Sequence, residues 1–255
     1  MHISLVPIMS ALLTISVRLS GLMLFAPMFG SVAIPVRVKA ILVLALTALL
    51  YPMLAGRIPV LSIRQWPTVI FGELLIGVAL GIATNVVFDG VQMAGQILSI
   101  QMGYSLVNIL DPQTQVESTV VALFHQTMAM LIFLRLGVHL WILRAVARSF
   151  DYLPPSSWHL SAAFTEGALH VAASAFSTGV QIAAPVLSAT LLADIALGLM
   201  GKASPQLPLM LLGPAVKSIL GIVILTAALR YWPALFERLF TRSMDQADHL
   251  LHLAG

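Results

Sequence analysis

Cysteine is absent from the 255 residues of this sequence, and charged residues are scarce. Without cysteine the chain has no disulfide framework, no thiol nucleophile and no cysteine-ligated metal site. Charged residues make up 9% of the chain, whereas a soluble domain carries about 25%. Hydrophobic residues make up 59%, and the mean hydropathy is +0.98. Because the apolar residues are spread along the whole length, the composition excludes a water-soluble enzyme and predicts a polytopic membrane protein.

The sequence also lacks the patterns of known catalytic and ligand sites. There is no HExxH, P-loop, GxGxxG or GxSxG pattern. The 13 basic and 10 acidic residues leave a formal charge of +3, with no cluster dense enough for nucleic acid. We therefore predict a protein that is not an enzyme and has no cofactor, no metal and no nucleic-acid partner.

Apolar residues form seven runs, separated by short breaks of proline, glycine and charge. The runs are Ile3–Phe29, Ala40–Leu54, Trp66–Phe88, Val91–Leu110, Val120–Leu134, Ala168–Met200 and Leu207–Leu229. A membrane span needs about 20 apolar residues, which the first, third, fourth and last runs reach. We predict an all-α membrane protein of antiparallel helical hairpins. Pro185 is expected to kink or split the helix of the long sixth run.

Charged side chains occur within or at the edges of these runs, where they are costly. They are Arg18, Glu73, Asp89, Arg135, Asp194 and Lys217. A charge at the bilayer centre costs about 2.5–3.5 kcal/mol, so each residue marks either a functional site or an ion pair that only fixes helix packing. Asp194 and Lys217 lie equally far from a predicted turn at Pro205 and Gln206. We predict that they form a buried ion pair, which lowers the desolvation cost of each charge.

Glutamines mark the fourth run as unfit for bare lipid. Gln92 and Gln96 share a helix face, and Gln101 follows on the same run. These three side chains are our pore-facing candidates. The pattern fits a helix that lines an aqueous path, and it fits equally a helix whose glutamines bond to neighbouring helices.

Two further patterns concern helix packing. Gly77 and Gly81 form a GxxxG pattern on the third run, which is typical of ordinary close helix packing. The stretch Pro233–Leu253 repeats apolar side chains at helical spacing, with charged residues on the other side. It predicts an amphipathic helix that lies at the membrane interface, and a solvated helix end is the alternative.

Several stretches together resemble a known family. They are Leu24–Lys39 (LFAPMFGSVAIPVRVK), Gly72–Gly103 (GELLIGVALGIATNVVFDGVQMAGQILSIQMG), Asp111–Pro112, Gly137–Pro154 (GVHLWILRAVARSFDYLP) and Ala184–Gly221, which contains GPAVKSILG. In order and spacing, over nearly the whole chain, they resemble the FliR family of flagellar biosynthesis proteins.

The resemblance implies a non-enzymatic subunit of the flagellar type III protein export gate. Members of the family assemble with FliP and FliQ into a channel for unfolded flagellar proteins, with FlhA and FlhB nearby. The implied location is the bacterial inner membrane at the flagellar basal body, in contact with lipid. The implied fold is a FliP-like N-terminal half, here residues 1–160, joined to a FliQ-like C-terminal hairpin with an amphipathic tail, here residues 161–255.

The resemblance also implies a loop that closes the channel, at residues 104–118. Its first part comprises Tyr104, Ser105, Leu106, Val107, Asn108, Ile109, Leu110, Asp111 and Pro112. The residues agree with this role, since Asp111–Pro112 should stop the preceding helix and the residues that follow are short and polar. An ordinary exposed turn has a similar sequence, so the residues alone leave both interpretations open.

Two other functions compete with the flagellar gate. One is the equivalent gate subunit of a virulence-type injectisome, although Gly30–Lys39 is closer to the flagellar branch. The other is a stand-alone secondary transporter that uses the intramembrane charges as its site. Transporters of that kind often contain inverted repeats, and the two halves of this sequence share no visible pattern.

Overall fold

The computed structural model describes residues 5–31, 33–62, 64–104, 120–155, 157–159, 161–204, 206 and 208–254. All regular structure in these residues is helical, as predicted. The helices are α1 (Leu5–Phe25), α2 (Val36–Leu54), α3 (Trp66–Gln101), α4 (Val120–Leu136), α5 (Val138–Tyr152), α6 (Ala162–Ala203), α7 (Leu209–Ala228) and α8 (Trp232–His252). A 3₁₀ turn, Leu229–Tyr231, joins α7 to α8.

Five of the described helical segments are long and apolar enough to cross a membrane. They are Val6–Phe25, Val36–Leu54, Trp66–Gln101, Ala162–Ala203 and Leu212–His252. The broken pair of α4 and α5 adds a sixth candidate if it is counted as one span. The chain is therefore a multi-pass membrane protein.

The third and fourth apolar runs form one helix, which corrects our prediction of two. The 36 residues of α3 continue through the predicted break at Asp89 and Gly90. Apolar residues are buried on both sides of that point, among them Val87 and Val91. A β-carbon on Gly90 would lie 2.7 Å from the Cγ2 atom of Thr178. The glycine therefore allows α6 to approach closely and does not end the helix.

The sixth run also forms a single helix, so the predicted split at Pro185 is wrong. Helix α6 has 42 residues and contains Pro185 in its interior. The proline ring lies on the exposed side, while Ala183 and Val186 beside it are buried. Packing of these neighbours on both sides of the proline compensates for the backbone hydrogen bond that it cannot make.

The chain divides into two compact units that do not follow its linear order. Unit 1 comprises Met1–Val86, Gly137–Ala173 and Phe240–Gly255, and unit 2 comprises Val87–Leu136 and Ser174–Leu239. Helices α3, α6 and α8 contribute residues to both units.

Glycines bring α1 and α3 together in unit 1. A β-carbon on Gly77 would overlap the backbone carbonyl of Arg18, and one on Gly81 would lie 2.9 Å from the carbonyl oxygen of Leu22. A β-carbon on Gly21 would overlap the carbonyl of Leu74. The GxxxG pattern therefore serves close packing of two helices, as its sequence indicated.

Helix α8 is amphipathic, but protein covers its apolar face. Phe236, Leu239 and Phe240 are buried, and within unit 1 Ser243 donates a hydrogen bond of 2.7 Å to the carbonyl of Ala83. The polar side of the helix is exposed at Glu237, Arg238, Thr241 and Arg242. The helix and its two faces agree with the prediction, and protein covers its apolar face. The location of the helix at the membrane interface remains a prediction.

Candidate functional site

The candidate site lies in unit 2, where the last turn of α3 meets α6 and α7. Helix α3 ends at Gln101, nine residues before the end of the predicted apolar run at Leu110, which is a correction. Gly103 has a positive φ of 85° and donates a backbone hydrogen bond of 3.1 Å to Ile100. Tyr104 donates one of 2.9 Å to Ser99. This pair of bonds is a Schellman motif, which satisfies the last carbonyl groups and stops the helix.

The predicted partners Asp194 and Lys217 are in contact. The Lys217 Nζ atom lies 3.0 Å from Oδ1 of Asp194 and 3.3 Å from its Oδ2. Gln101 donates a hydrogen bond of 3.0 Å from Nε2 to the same Oδ2. One carboxylate therefore links the end of α3 to α6 and α7, which the sequence did not predict for Gln101.

This ion pair is only partly buried in the chain, although we predicted a buried pair. The Lys217 side chain is 18% exposed and that of Asp194 is 42% exposed. The two helices leave large apolar residues uncovered around the pair, including Leu192, Ile195 and Ile219. The pair is therefore accessible from this side in the chain alone.

Two further contacts fix the end of α3 against α7. Ser218 donates a hydrogen bond of 2.7 Å to the carbonyl of Met102. A β-carbon on Gly103 would lie 2.9 Å from the Cβ atom of Pro214, so the glycine turn lies directly against that proline. Together with the ion pair, these contacts hold the position from which the chain enters residues 105–119.

The three predicted pore-facing glutamines do not form one stripe. Gln92 is half-buried and Gln96 is exposed, and the two lie one turn apart on the same side of α3. Gln101 is five residues beyond Gln96, which rotates it by about 140° around the helix axis. It contacts Asp194 instead. Whether Gln92 and Gln96 face an aqueous path remains a prediction.

Only one residue of the predicted closing loop is described, and that residue is Tyr104, which is exposed. The other predicted loop residues lie outside the described part of the chain. They are Ser105, Leu106, Val107, Asn108, Ile109, Leu110, Asp111 and Pro112. The closing role of the loop therefore remains a prediction.

A second polar cluster, around Arg18 and Glu73, lies in unit 1, and the sequence did not predict that its residues meet. Arg18 is fully buried and donates to Glu73, to the Ser149 hydroxyl at 2.7 Å and to the Leu153 carbonyl at 3.0 Å. The guanidinium also lies 3.7 Å from the centre of the Phe150 ring. Arg18 and Glu73 each stand out in the sequence as charges within apolar runs, but 55 residues separate them and no single turn brings them together.

The described residues contain no group of three or more histidine, aspartate or glutamate side chains placed to hold a metal ion. The carboxylate of Asp194 forms an ion pair with Lys217 and accepts a hydrogen bond from the amide of Gln101. These contacts can hold the end of α3 against α6 and α7 and set the direction in which the chain leaves α3.

Comparison with known proteins identifies the family. The profile of the family described as bacterial export proteins, family 1, matches residues 9–243. The flagellar biosynthetic protein FliR of Pectobacterium carotovorum subsp. carotovorum is 31% identical over 242 residues, which are 94% of this chain and 92% of that protein. The chain belongs to the FliR family.

Other members of the FliR family match a similar extent. The FliR protein of Escherichia coli (strain K12) is 30% identical over 226 residues, covering 88% of this chain and 86% of that protein. The FliR protein of Bacillus subtilis (strain 168) is 27% identical over 256 residues, covering 99% and 98%. The similarity thus includes both units and the residues between α3 and α4.

Proposed function

We propose that this chain is a non-enzymatic subunit of the flagellar type III protein export gate, where it helps to form the channel for unfolded flagellar proteins. The observation that carries the proposal is the match to flagellar FliR proteins over nearly the whole length of the chain. The multi-pass helical architecture is compatible with a channel component. On this proposal the chain resides in the bacterial inner membrane at the basal body of the flagellum.

Exposed apolar faces support assembly with other membrane proteins. In the 18-residue windows of highest hydropathy, 11% of the residues of α2 and 22% of those of α6 are buried, compared with 61% in α3. Side chains such as Ile41 on α2 and Leu192 on α6 are 67% exposed. We propose that homologues of FliP and FliQ cover part of this surface, that lipid covers the rest, and that FlhA and FlhB homologues lie nearby.

Closure of the channel is assigned in this proposal to residues 104–118. The support is the anchorage of their first residue, because the Schellman motif at Gly103 and the bond from Ser218 to Met102 fix the end of α3. A closing loop needs a rigid base if its position is to be defined. Gln92 and Gln96 on the preceding turns would face the same aqueous space.

The alternative functions receive less support. The similar proteins are named as flagellar, which favours the flagellar gate over an injectisome gate. A solute transporter would need a site at the intramembrane charges. Asp194, one of these groups, is already bonded to Lys217 and Gln101.

The direct test is co-expression of the chain with its FliP and FliQ homologues, followed by purification in mild detergent and imaging of the complex. We expect one stable complex in which α2 or the α6 and α7 hairpin contacts the partners. A chain that purifies alone, while the two partners assemble normally without it, would contradict the proposal.

A further inference from the structure

A cleft of about 270 Å³ lies in unit 1 between α5 and α8. Arg144 and Arg148 line the wall that α5 forms, one helical turn apart. Asp245 and Asp248 line the wall that α8 forms. All four side chains are exposed. The cleft therefore has two guanidinium groups on one side and two carboxylates on the other.

The opposite charges do not pair across the cleft. Within the described part of the chain, Arg144, Arg148 and Asp245 form no salt bridge. Asp248 accepts a hydrogen bond of 2.8 Å from the hydroxyl of Tyr152, which occupies one of its oxygen atoms. The two arginines and Asp245 are thus the charged groups of the cleft that are open to a ligand, and a ligand between them meets both signs of charge.

Packing of the two helices sets the spacing of the walls. Ile142 and Val146 are buried on the other face of α5, and Leu251 is buried on α8. The rings of Tyr152 and His252 stack with their centres 4.3 Å apart, which joins the last turns of both helices. The cleft is therefore held open by the fold, and only the exposed side chains need to move when a ligand enters.

Aromatic residues indicate that the cleft lies at the level of the lipid headgroups. Trp66 begins α3 and Tyr152 ends α5. Trp158 lies near the start of α3, because a β-carbon on Gly72 would lie 3.6 Å from its Cβ atom. Tryptophan and tyrosine are enriched where the membrane meets water. Arg148 is one turn from Tyr152, so the cleft opens at that level.

We propose that this cleft binds the headgroup of phosphatidylethanolamine, in which a phosphate is joined to a primary ammonium group. The phosphate pairs with Arg144 and Arg148, because guanidinium groups bind phosphate oxygens with parallel N–H bonds. The ammonium group donates to Asp245 on the facing wall. Trp141, which also lines the cleft, offers its ring to the lipid next to the headgroup. The inference does not depend on the export function.

Size, depth and hydrogen bonding together favour this occupant over others. The volume lies below the range of about 300–1,000 Å³ that is typical of pockets for larger ligands, so the cleft fits a headgroup and not a folded peptide segment. The carboxylate of Asp245 repels a headgroup with net negative charge, such as that of phosphatidylglycerol. The trimethylated amine of phosphatidylcholine has no N–H group to donate to this carboxylate.

The test compares lipids on the full-length chain in non-ionic detergent. Phosphatidylethanolamine, phosphatidylcholine and phosphatidylglycerol with identical acyl chains are added in turn, and native mass spectrometry counts the bound lipid. We expect phosphatidylethanolamine to bind at least about fivefold more tightly than either of the others. Free phosphoethanolamine at the same concentration should not displace it, because the acyl chains add apolar contact.

Variants locate the binding. Asp245→Asn should bring the affinity for phosphatidylethanolamine to within about twofold of that for phosphatidylcholine, since the acceptor of the ammonium group loses its charge. Arg144→Gln with Arg148→Gln should weaken binding of both lipids at least about fivefold, because they share the phosphate. Arg242→Gln and Glu166→Gln are the matched controls, since both residues are exposed in unit 1 outside this cleft. Neither control should change the binding of any lipid.

Three outcomes would overturn the proposal. The first is equal binding of phosphatidylethanolamine and phosphatidylcholine to the unmodified chain, which needs no variant to fold. The second is an unchanged preference between these lipids in Asp245→Asn, which would mean that the carboxylate does not face the amine. The third is displacement of the lipid by an equal concentration of phosphoethanolamine, because the ligand would then be a free zwitterion. None of these outcomes depends on whether the chain assembles with its partners.

Discussion

Arg18 and Glu73 form a bidentate ion pair that is closed to solvent. Nε of Arg18 lies 2.6 Å from Oε2 of Glu73, and Nη2 lies 3.0 Å from Oε1. The two side chains are 0% and 2% exposed. With Ser149 and Leu153 as further acceptors, the guanidinium connects α1 and α3 to the end of α5.

Removal of one member of this pair should strongly destabilise the chain. Glu73→Leu leaves a buried guanidinium without its counter-charge, and we expect a loss of about 3–5 kcal/mol in the free energy of unfolding. Arg18→Met should have a similar effect. The double variant Arg18→Met with Glu73→Leu should recover much of the loss, because no charge remains buried. Thermal unfolding in detergent measures all three, and a double variant no better than either single one would contradict the prediction.

Close packing of α1 on α3 depends on the absence of a side chain at Gly77. Gly77→Ala places a methyl group against the carbonyl of Arg18, so we expect a loss of about 1–3 kcal/mol. Gly198→Ala is the matched control, since this exposed glycine on α6 has no atom within 4 Å of its would-be β-carbon. There alanine should stabilise the helix by up to about 1 kcal/mol. If both substitutions lower the free energy of unfolding, or both raise it, this explanation is wrong.

The Asp194–Lys217 pair should matter more for assembly than for the stability of the isolated chain. The pair is partly exposed, so its loss should cost about 1 kcal/mol or less in the chain alone. Once a partner covers it, Asp194→Lys or Lys217→Asp leaves two like charges together. We expect each single reversal to lower the yield of complex with FliP and FliQ homologues, and the double reversal to restore a substantial part. Normal assembly of both single variants would contradict the prediction.

Because the chain contains no cysteine, a single introduced cysteine can carry a spin label on either face of α8. Leu239 is buried and Arg242 is exposed. A label at Leu239→Cys should be immobile and shielded from both oxygen and water-soluble reagents, since protein covers it. A label at Arg242→Cys should be mobile and accessible to water-soluble reagents. High oxygen accessibility at Leu239 would instead support insertion of this face into lipid.

Composition and spacing predicted the helical class, the multi-pass membrane character and the contact of Asp194 with Lys217, because each depends on local pattern or on symmetry about one turn. They did not predict that α3 is continuous. In sequence, a glycine that breaks a helix and one that admits a neighbouring helix look alike, and only Thr178 next to Gly90 distinguishes them. Sequence also could not pair Arg18 with Glu73, because long-range pairing depends on how α1 packs against α3. The sequence also did not predict that protein covers the apolar face of α8, because this too depends on long-range packing.

If residues 104–118 close the channel, a deletion within them should raise the ion permeability of the complex without preventing its assembly. The contacts that fix the end of α3 all lie before the loop, at Gln101, Met102 and Gly103. Deletion of Leu110–Gln115, which lies outside the described residues, removes none of them. We therefore expect the shortened chain to assemble with its partners in nearly normal yield.

The same deletion should make the complex leak ions. A loop that closes a channel blocks flow without adding much to stability, since closure must be reversible. We expect higher ion flux through reconstituted vesicles and slower growth of cells that overproduce the deletion complex. Substitution of Leu110–Gln115 by a Gly/Ser segment of equal length is the control that separates loop length from loop chemistry. If the deletion complex assembles and remains as ion-tight as the intact one, residues 104–118 are an ordinary connection, and closure must reside in another part of the channel.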